Sequence, residues 1–288
     1  MVRVVSGAQS FGSQGHGWHV RVEYRREAAA TGAILTTRTT LCPRCTRERP
    51  LHGGAAAHRR QRLNDGEETE RSMKVFIIGV SGAIGGLLAR CLIDRGDEVS
   101  GLVRRDAQRA ELLTHGVAAS VGELADMTAV ALASMLGGMD VVVYAAGSNG
   151  GARDVTANID GEGAVRALDA TRLAGVNRFA LVSVLPEAGR GQHLSHDEEF
   201  YFAVKKLVDV TVSASDLDWL ILRPSMLIDR AGTGRIALGP AQPHDEIARE
   251  DVAATLAELL HEPRIRRQIL ELNQGPTPIA HAVQANLR

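Results

Sequence analysis

Residues 74–85 read Lys-Val-Phe-Ile-Ile-Gly-Val-Ser-Gly-Ala-Ile-Gly, an apolar run that passes through glycines spaced three apart into a helical stripe. The run Lys74–Gly79 suits a strand buried on both faces of a parallel sheet. Ile84, Leu87, Leu88, Cys91 and Leu92 fall on one face of a helix predicted over 83–95, which Gly96 ends. Cys91 on that stripe is read as a core residue. Gly79 permits the tight turn, Gly82 the close approach of backbone to a ligand, and Gly85 the packing of helix on strand. Ser81, Ala83 and Ile84 complete a loop whose backbone N–H groups point toward an anion at a positive helix end. Glycine is abundant, 30 of 288 residues, so the spacing alone is weak evidence. The strand–turn–helix setting makes it a dinucleotide-binding turn; the alternative is a tight turn with no ligand.

The alternation continues. Strands are predicted at 98–103, 116–121, 140–145, 178–183 and 219–223, with helices at 107–114, 128–136, 155–174 and 200–215 between them. A short strand at 235–238, a helix at 251–260, a strand near 269–272 and a helix from Pro278 complete the chain. Six strands alternating with helices predict an α/β fold with a Rossmann-type doubly wound parallel sheet.

Residues 1–72 are unlike the rest. They hold 12 basic residues, all Arg, against 7 acidic ones, a balance of +5, whereas 73–288 carries −6 and the whole chain −1. Beyond a short strand at 18–24 the segment has no apolar period and is read as a mostly disordered, low-order extension. It lacks the apolar core of a secretory signal. The codons of Gly66-Glu67-Glu68 resemble a ribosome-binding site, which suggests translation from Met73. Cys42 and Cys45, with His52 and His58 nearby, are half of a zinc site or, more simply, two unpaired thiols. Three cysteines in all make no disulfide framework, which points to a reducing, cytoplasmic setting. The charge total gives no sign of nucleic acid or membrane as partner.

Strand two ends in Val103-Arg104-Arg105. An acid there binds the ribose 2′-OH of NAD; two guanidiniums suit a 2′-phosphate instead, so NADP(H) is favoured over NAD(H). The strands at 116–121 and 140–145 end in Gly122-Glu123-Leu124 and Ala145-Ala146-Gly147, the latter small enough to leave room for a ligand across the sheet.

With these motifs in place, residues 73–288 resemble the short-chain dehydrogenase/reductase superfamily. They are most similar to its atypical NAD(P)H-binding group, which includes NmrA-like proteins and biliverdin/flavin reductases. Further matches are Asn158-Ile159-Asp160-Gly161, Gly175-Val176-Asn177-Arg178-Phe179, Tyr201-Phe202-Ala203-Val204-Lys205, Leu222-Arg223-Pro224 and Arg249-Glu250-Asp251-Val252-Ala253. The resemblance implies that Glu123 and Leu124 lie by the adenine. It also implies that Ala145, Ala146 and Gly147 line the ribose and nicotinamide path, with Pro224 and Lys205 also at the cofactor.

Tyr201 and Lys205 stand four apart on a predicted helix and so share a face. An ammonium beside a phenol favours phenolate, and the superfamily uses the pair for proton transfer while hydride moves at the nicotinamide. The chain departs from the family after strand five. Val184 takes the position of the usual hydroxyl residue, and Ser183 serves only if the strand has already ended. The segment 186–199 reads as a polar loop; His193, His196, Asp197, Glu198 and Glu199 form no convincing metal site, and the acids instead give the next helix an acidic start. Three readings follow. The first is an NADP(H)-dependent oxidoreductase acting on a small carbonyl, alcohol or conjugated substrate. The second is a non-catalytic NmrA-like NADP(H) sensor. The last is a sugar-nucleotide epimerase or dehydratase, for which the region 225–288 is small. The superfamily also makes homodimers through paired helices.

Overall fold

The computed structural model describes Val2–Val5, Arg21–Tyr24 and residues 72–287, apart from 188–190 and 192. Val2–Val5 (β1) and Arg21–Tyr24 (β2) pair antiparallel, with Val2 opposite Tyr24. The short strand expected at 18–24 is thus present over its last four residues. The other expectations for residues 1–71, the Cys42/Cys45 pair included, lie outside the described residues.

From Met73 onward the elements are Lys74–Ile78 (β3), Ala83–Asp94 (α1), Glu98–Val103 (β4), Asp106–Thr114 (α2), Ala118–Val121 (β5), Ala129–Ala133 (α3) and Val141–Tyr144 (β6). Arg153–Val155 (α4) then passes through a π-helical stretch, Thr156–Gly163, into Ala164–Leu173 (α5). Arg178–Val182 (β7), His196–Ser213 (α6), Asp218–Pro224 (β8), Met226–Ile228 (β9), Arg235–Gly239 (β10) and Glu246–Ala248 (β11) follow. The chain ends with Arg249–His261 (α7), Gln268–Gln274 (β12), Thr277–Pro278 (β13) and Ile279–Gln284 (α8).

The main sheet has the order β13-β10-β12-β8-β7-β6-β3-β4-β5. Its members from β12 to β5 are parallel, while β10 and β13 run antiparallel at one edge. The chain builds outward from β3 through β4 to β5, then crosses back to lay β6 on the other side of β3. That reversal is the switch point where ligands enter such sheets, outside the carboxyl ends of the strands.

Alternate residues of each strand serve opposite faces, as period two requires. Val75 and Ile77 of β3 join α1, α7 and Val141, Val143, Leu220 and Leu222 in one core. Phe76 and Ile78 join α5, α6 and Tyr144, Phe179, Leu181 and Ile221 in the other. Both faces are therefore covered, which explains the unbroken apolar runs. The region from 225 on is not separate from this body. β12 extends the parallel sheet beside β8, and Leu256, Leu260, Leu270 and Leu272 are fully buried in the first core. Half-buried Cys91 packs against the same core, where burial raises its thiol pKa.

Two of the motifs that carry the family resemblance hold the frame. Buried Asp251, in the first turn of α7, accepts from the amides of Thr233 (2.9 Å) and Gly234 (2.8 Å) and so ties down the loop before β10. Arg178, at the start of β7, donates to the carbonyls of Leu259, in the last turn of α7, and of Glu262 and Ile265 beyond it. Asp251→Ala removes both hydrogen bonds from these exposed amides and is expected to cost about 0.5–1.5 kcal/mol for each, read as a lower urea midpoint.

Two extensions were not foreseen. The parallel pair β9 and β11 arises from residues with little periodicity. Helix α6 begins at His196, within the segment expected to be loop. Ser195 and Glu198 form a reciprocal capping box, with the Glu198 carboxylate accepting from the Ser195 amide at 2.8 Å, so the acids at 197–199 start the helix. The Ser195 amide and hydroxyl together hold the Glu198 carboxyl below the usual range. Among the described residues, no helix is long and apolar enough to cross a membrane.

Candidate active site

At the end of β3 the chain turns through Gly79 at a φ of +95°, a region that disfavours side chains. A methyl group on Gly79 would meet the Ala146 nitrogen at 2.5 Å, so the end of β6 is pressed onto this turn. A methyl on Gly85 would stand 2.1 Å from the Gly79 carbonyl oxygen, which explains why α1 needs glycine there to lie against β3. The Gly82 amide donates to that same carbonyl at 2.9 Å. Helix α1 then starts at Ala83 with no side-chain cap and no acid in its first turn. Ser81, Gly82 and Ala83 are exposed, and Ile84 is buried behind them. A helix end with uncapped donors at the switch point of a parallel sheet fits a diphosphate. The residues expected to bind the cofactor's phosphates thus come together.

The end of β4 lies against this turn. Gln108 accepts from the amides of Arg104 and Arg105 (3.2 Å each) and donates to Ser81 Oγ (3.2 Å). The Arg104 and Arg105 side chains are exposed and make no ion pair among the described residues. Gln108 went unnoticed in the sequence because nothing there shows that its helix folds back onto the glycine loop. The next two positions separate. Glu123 is exposed, whereas Leu124 is 6% exposed and belongs to the core under α5, with its carbonyl taken by Arg166 at 2.8 Å. Only the backbone of Leu124 adjoins the strand ends; its side chain is packing. Ala145 and Ala146 are half-buried and Gly147 exposed at the end of β6, and Pro224 is buried in β8.

The π-helical stretch Thr156–Gly163 lies beside β6. Such stretches free carbonyls from their helical partners and recur at functional sites. Here the Tyr144 hydroxyl takes the Ile159 carbonyl, and the stretch carries Asp160 inward to 1% exposure. Asp160 Oδ2 accepts from the Ser148 amide (2.8 Å), and Asp160 Oδ1 accepts from Lys205 Nζ (3.3 Å). Lys205 is itself 4% exposed and also donates to the Val182 carbonyl (3.3 Å). Asp160 was quoted in a motif but given no role. Its signal is a lone acid on the inward face of a long helix.

Tyr201 and Lys205 do share a face of α6, and the ammonium lies 5.9 Å from the centroid of the Tyr201 ring. The expectation that Lys205 lowers the phenol pKa is not met. Burial first, and then the Asp160 charge, push the Tyr201 phenol well above its usual value. The Lys205 charge is already neutralised by Asp160.

Ser183 also needs correction as a catalytic residue. β7 ends at Val182, and Val182 faces the α1 core, so Ser183 turns toward α6. There its buried hydroxyl has no hydrogen-bond partner among the described residues. It lies near enough to Asp209 to draw that carboxyl's pKa down, against the larger upward effect of burial. Asp209, the next turn of α6 after Lys205, pairs with Arg223 of β8 at 2.8 Å. No hydrogen bond joins Ser183 to Tyr201. Val184 is half-exposed and offers none. The acids and histidines of 193–199 do not converge. Asp197 pairs with Arg153 at 2.9 Å, and among the described residues no three His, Cys, Asp or Glu come together as a metal needs.

Comparison with known proteins meets this geometry. Residues 79–263 match the model of a family described as NAD(P)H-binding. The chain belongs to that family. This NAD(P)H-binding protein is 33% identical over 214 residues to the "Uncharacterized sugar epimerase YhfK" of Bacillus subtilis, covering 74% of this chain and 99% of that one. Its fold is similar to that of the oxidoreductase ylbE from Lactococcus lactis, with a TM-score of 0.65 and 25% identity, across 74% of this chain and 96% of that one. It is also similar to ChuY, an "Anaerobillin Reductase" from Escherichia coli O157:H7, with a TM-score of 0.58 and 26% identity, across 71% and 100%. The NAD(P)H-binding protein therefore has an atypical, short-chain-dehydrogenase-like fold, and a nicotinamide coenzyme is its family ligand.

Proposed function

We propose that the chain is an NADP(H)-dependent oxidoreductase that acts on a small carbonyl or conjugated substrate, with Tyr201 as its proton-transfer group. The observation that carries this reading is the site around the end of β6. A half-buried phenol, a buried Lys205 and a buried Asp160 stand beside the small residues 145–147, next to a glycine turn free to take a diphosphate. Ser81, Gly82, Ala83 and Ile84 would hold the diphosphate, and Arg104 and Arg105 the 2′-phosphate. Bound there, the reduced nicotinamide supplies hydride. Tyr201 gives a proton to the substrate oxygen, Lys205 and Asp160 fix the floor beneath it, and the apolar wall of Val184 excludes water. The reductase named among the structural relatives supports the direction.

The preference for the phosphorylated coenzyme has its own test. Arg104→Ala is expected to weaken NADPH binding about 10–100-fold, since a charge-assisted hydrogen bond contributes about 1.5–3 kcal/mol, and to leave NADH binding unchanged. Equal loss for both coenzymes, by fluorescence titration, contradicts it.

The second reading is the NADP(H) sensor, favoured by one observation: the Ser183 hydroxyl lies with Asp209 rather than with Tyr201. Epimerisation of a nucleotide sugar has less support from the site, although a relative and similar solved structures carry epimerase names. The cations near the carboxyl ends of β8 to β12 are already matched to acids: Arg223 to Asp209, Arg230 to Glu246 and Arg249 to Asp229. A substrate diphosphate would find them neutralised. Turnover of a panel of quinones, flavins, aldehydes and ketones with NADPH tests the first reading; tight binding without turnover is the outcome of the second.

A further inference from the structure

Lys205 has two close partners, and neither is the phenol four residues before it. Its ammonium donates to Asp160 Oδ1 and to the Val182 carbonyl, and it lies over the Tyr201 ring, 5.9 Å from the centroid, with no hydrogen bond to the phenol hydroxyl. Asp160 in turn is held from two sides. The Ser148 amide binds its other oxygen, and Gly147 packs so closely that a methyl there would lie 3.2 Å from Oδ1. Three segments therefore fix one carboxylate: the loop after β6, the π-helical stretch and α6.

We propose that Asp160 is a positioning residue that keeps the Lys205 ammonium off the Tyr201 hydroxyl, so that Tyr201 meets substrate as a neutral proton donor and the site is set for reduction. This deepens the oxidoreductase reading and rests on it. With the reduced coenzyme bound, its hydride would pass to the carbonyl carbon, leaving the coenzyme oxidised, and the carbonyl π pair would move to oxygen. That oxygen takes the Tyr201 proton, and the phenolate left behind recovers a proton from solvent. A phenol already ionised would have no proton to give.

The charges facing Tyr201 agree with the geometry. Asp160 faces it from the π-helical stretch and Lys205 from α6 itself, and burial and Asp160 together raise the phenol pKa. Tyr144 of β6 feels the same acid, opposed by Arg166 of α5, and is also raised, by burial above all.

The test is a spectrophotometric titration of phenol ionisation on the full chain, with Tyr201→Phe subtracted to isolate one residue. The wild type is expected to show no Tyr201 ionisation at or below the usual tyrosine value of about 10. Asp160→Asn is expected to bring it down by about 1–3 units, because an anion is lost and an ammonium released. Asp160→Glu is expected to restore the wild-type curve, which a merely structural defect would not allow. A folded Asp160→Asn protein with the wild-type curve overturns the proposal. Should that variant fail to fold, the wild type and Lys205→Met decide. Wild-type ionisation at or below about 10 that Lys205→Met drives upward means that Lys205 serves the phenolate directly, and also overturns it. NADPH calorimetry on the same samples keeps the two ideas apart: absence of binding removes the oxidoreductase reading and leaves the titration result standing.

Discussion

Tyr201→Phe is expected to lower NADPH-dependent turnover about 10²–10⁴-fold, the usual contribution of a positioned acid, with NADPH affinity unchanged. The hydroxyl is the only atom removed, and among the described residues it makes no hydrogen bond that its loss would break. The ring keeps its edge-on contact with Phe202, 5.7 Å between centroids, so the helix loses no packing. The effect should therefore appear in kcat, followed as loss of NADPH absorbance, and not in coenzyme binding. Turnover at the wild-type rate would remove Tyr201 from the chemistry and leave the fold to carry the reaction by orientation alone.

Gly85→Ala is the second large effect. Its new methyl would stand 2.1 Å from the Gly79 carbonyl oxygen and 2.8 Å from the Gly79 carbonyl carbon, both backbone atoms of the turn. No rotamer relieves such a contact, so α1 must move off β3. Overpacking of this kind costs about 1–3 kcal/mol, and the displaced turn should lose its coenzyme entirely. Gly86→Ala is the control. Its nearest neighbour would be the Val80 carbonyl oxygen at an ordinary 3.5 Å, and replacing glycine inside a helix stabilises by about 0.5–1 kcal/mol. Chemical denaturation with NADPH titration separates the two: Gly85→Ala falls in both, and Gly86→Ala keeps its binding.

How much of this was legible in the sequence depended on whether a residue's role is local. The glycines at 79, 82 and 85, the apolar run before them and the stripe after them act through neighbours in the chain, so their spacing carries their function. The strand ends at 103–105 and 145–147 follow once a parallel sheet is assumed. What escaped was set by contacts between distant segments. Gln108 reaches Ser81, 27 positions away, and Asp160 reaches Lys205, 45 positions away. The direction of Ser183 depends on where β7 stops, and single residues at strand ends flip the face on which a side chain falls. Tyr201 and Lys205 were paired correctly by helical spacing, but the direction of the phenol's shift was not legible. It is set by burial first and then by a carboxylate from another helix.

The most direct measurement is isothermal calorimetry of the full chain with NADPH. The glycine turn, the uncapped start of α1 and Arg104 and Arg105, which have no ion pair among the described residues, predict saturable binding at one site per chain, weaker with NADH and absent in Gly85→Ala. A chain that shows its full helical signal yet gives no heat with either coenzyme, at more than one temperature, would contradict the assignment of that turn.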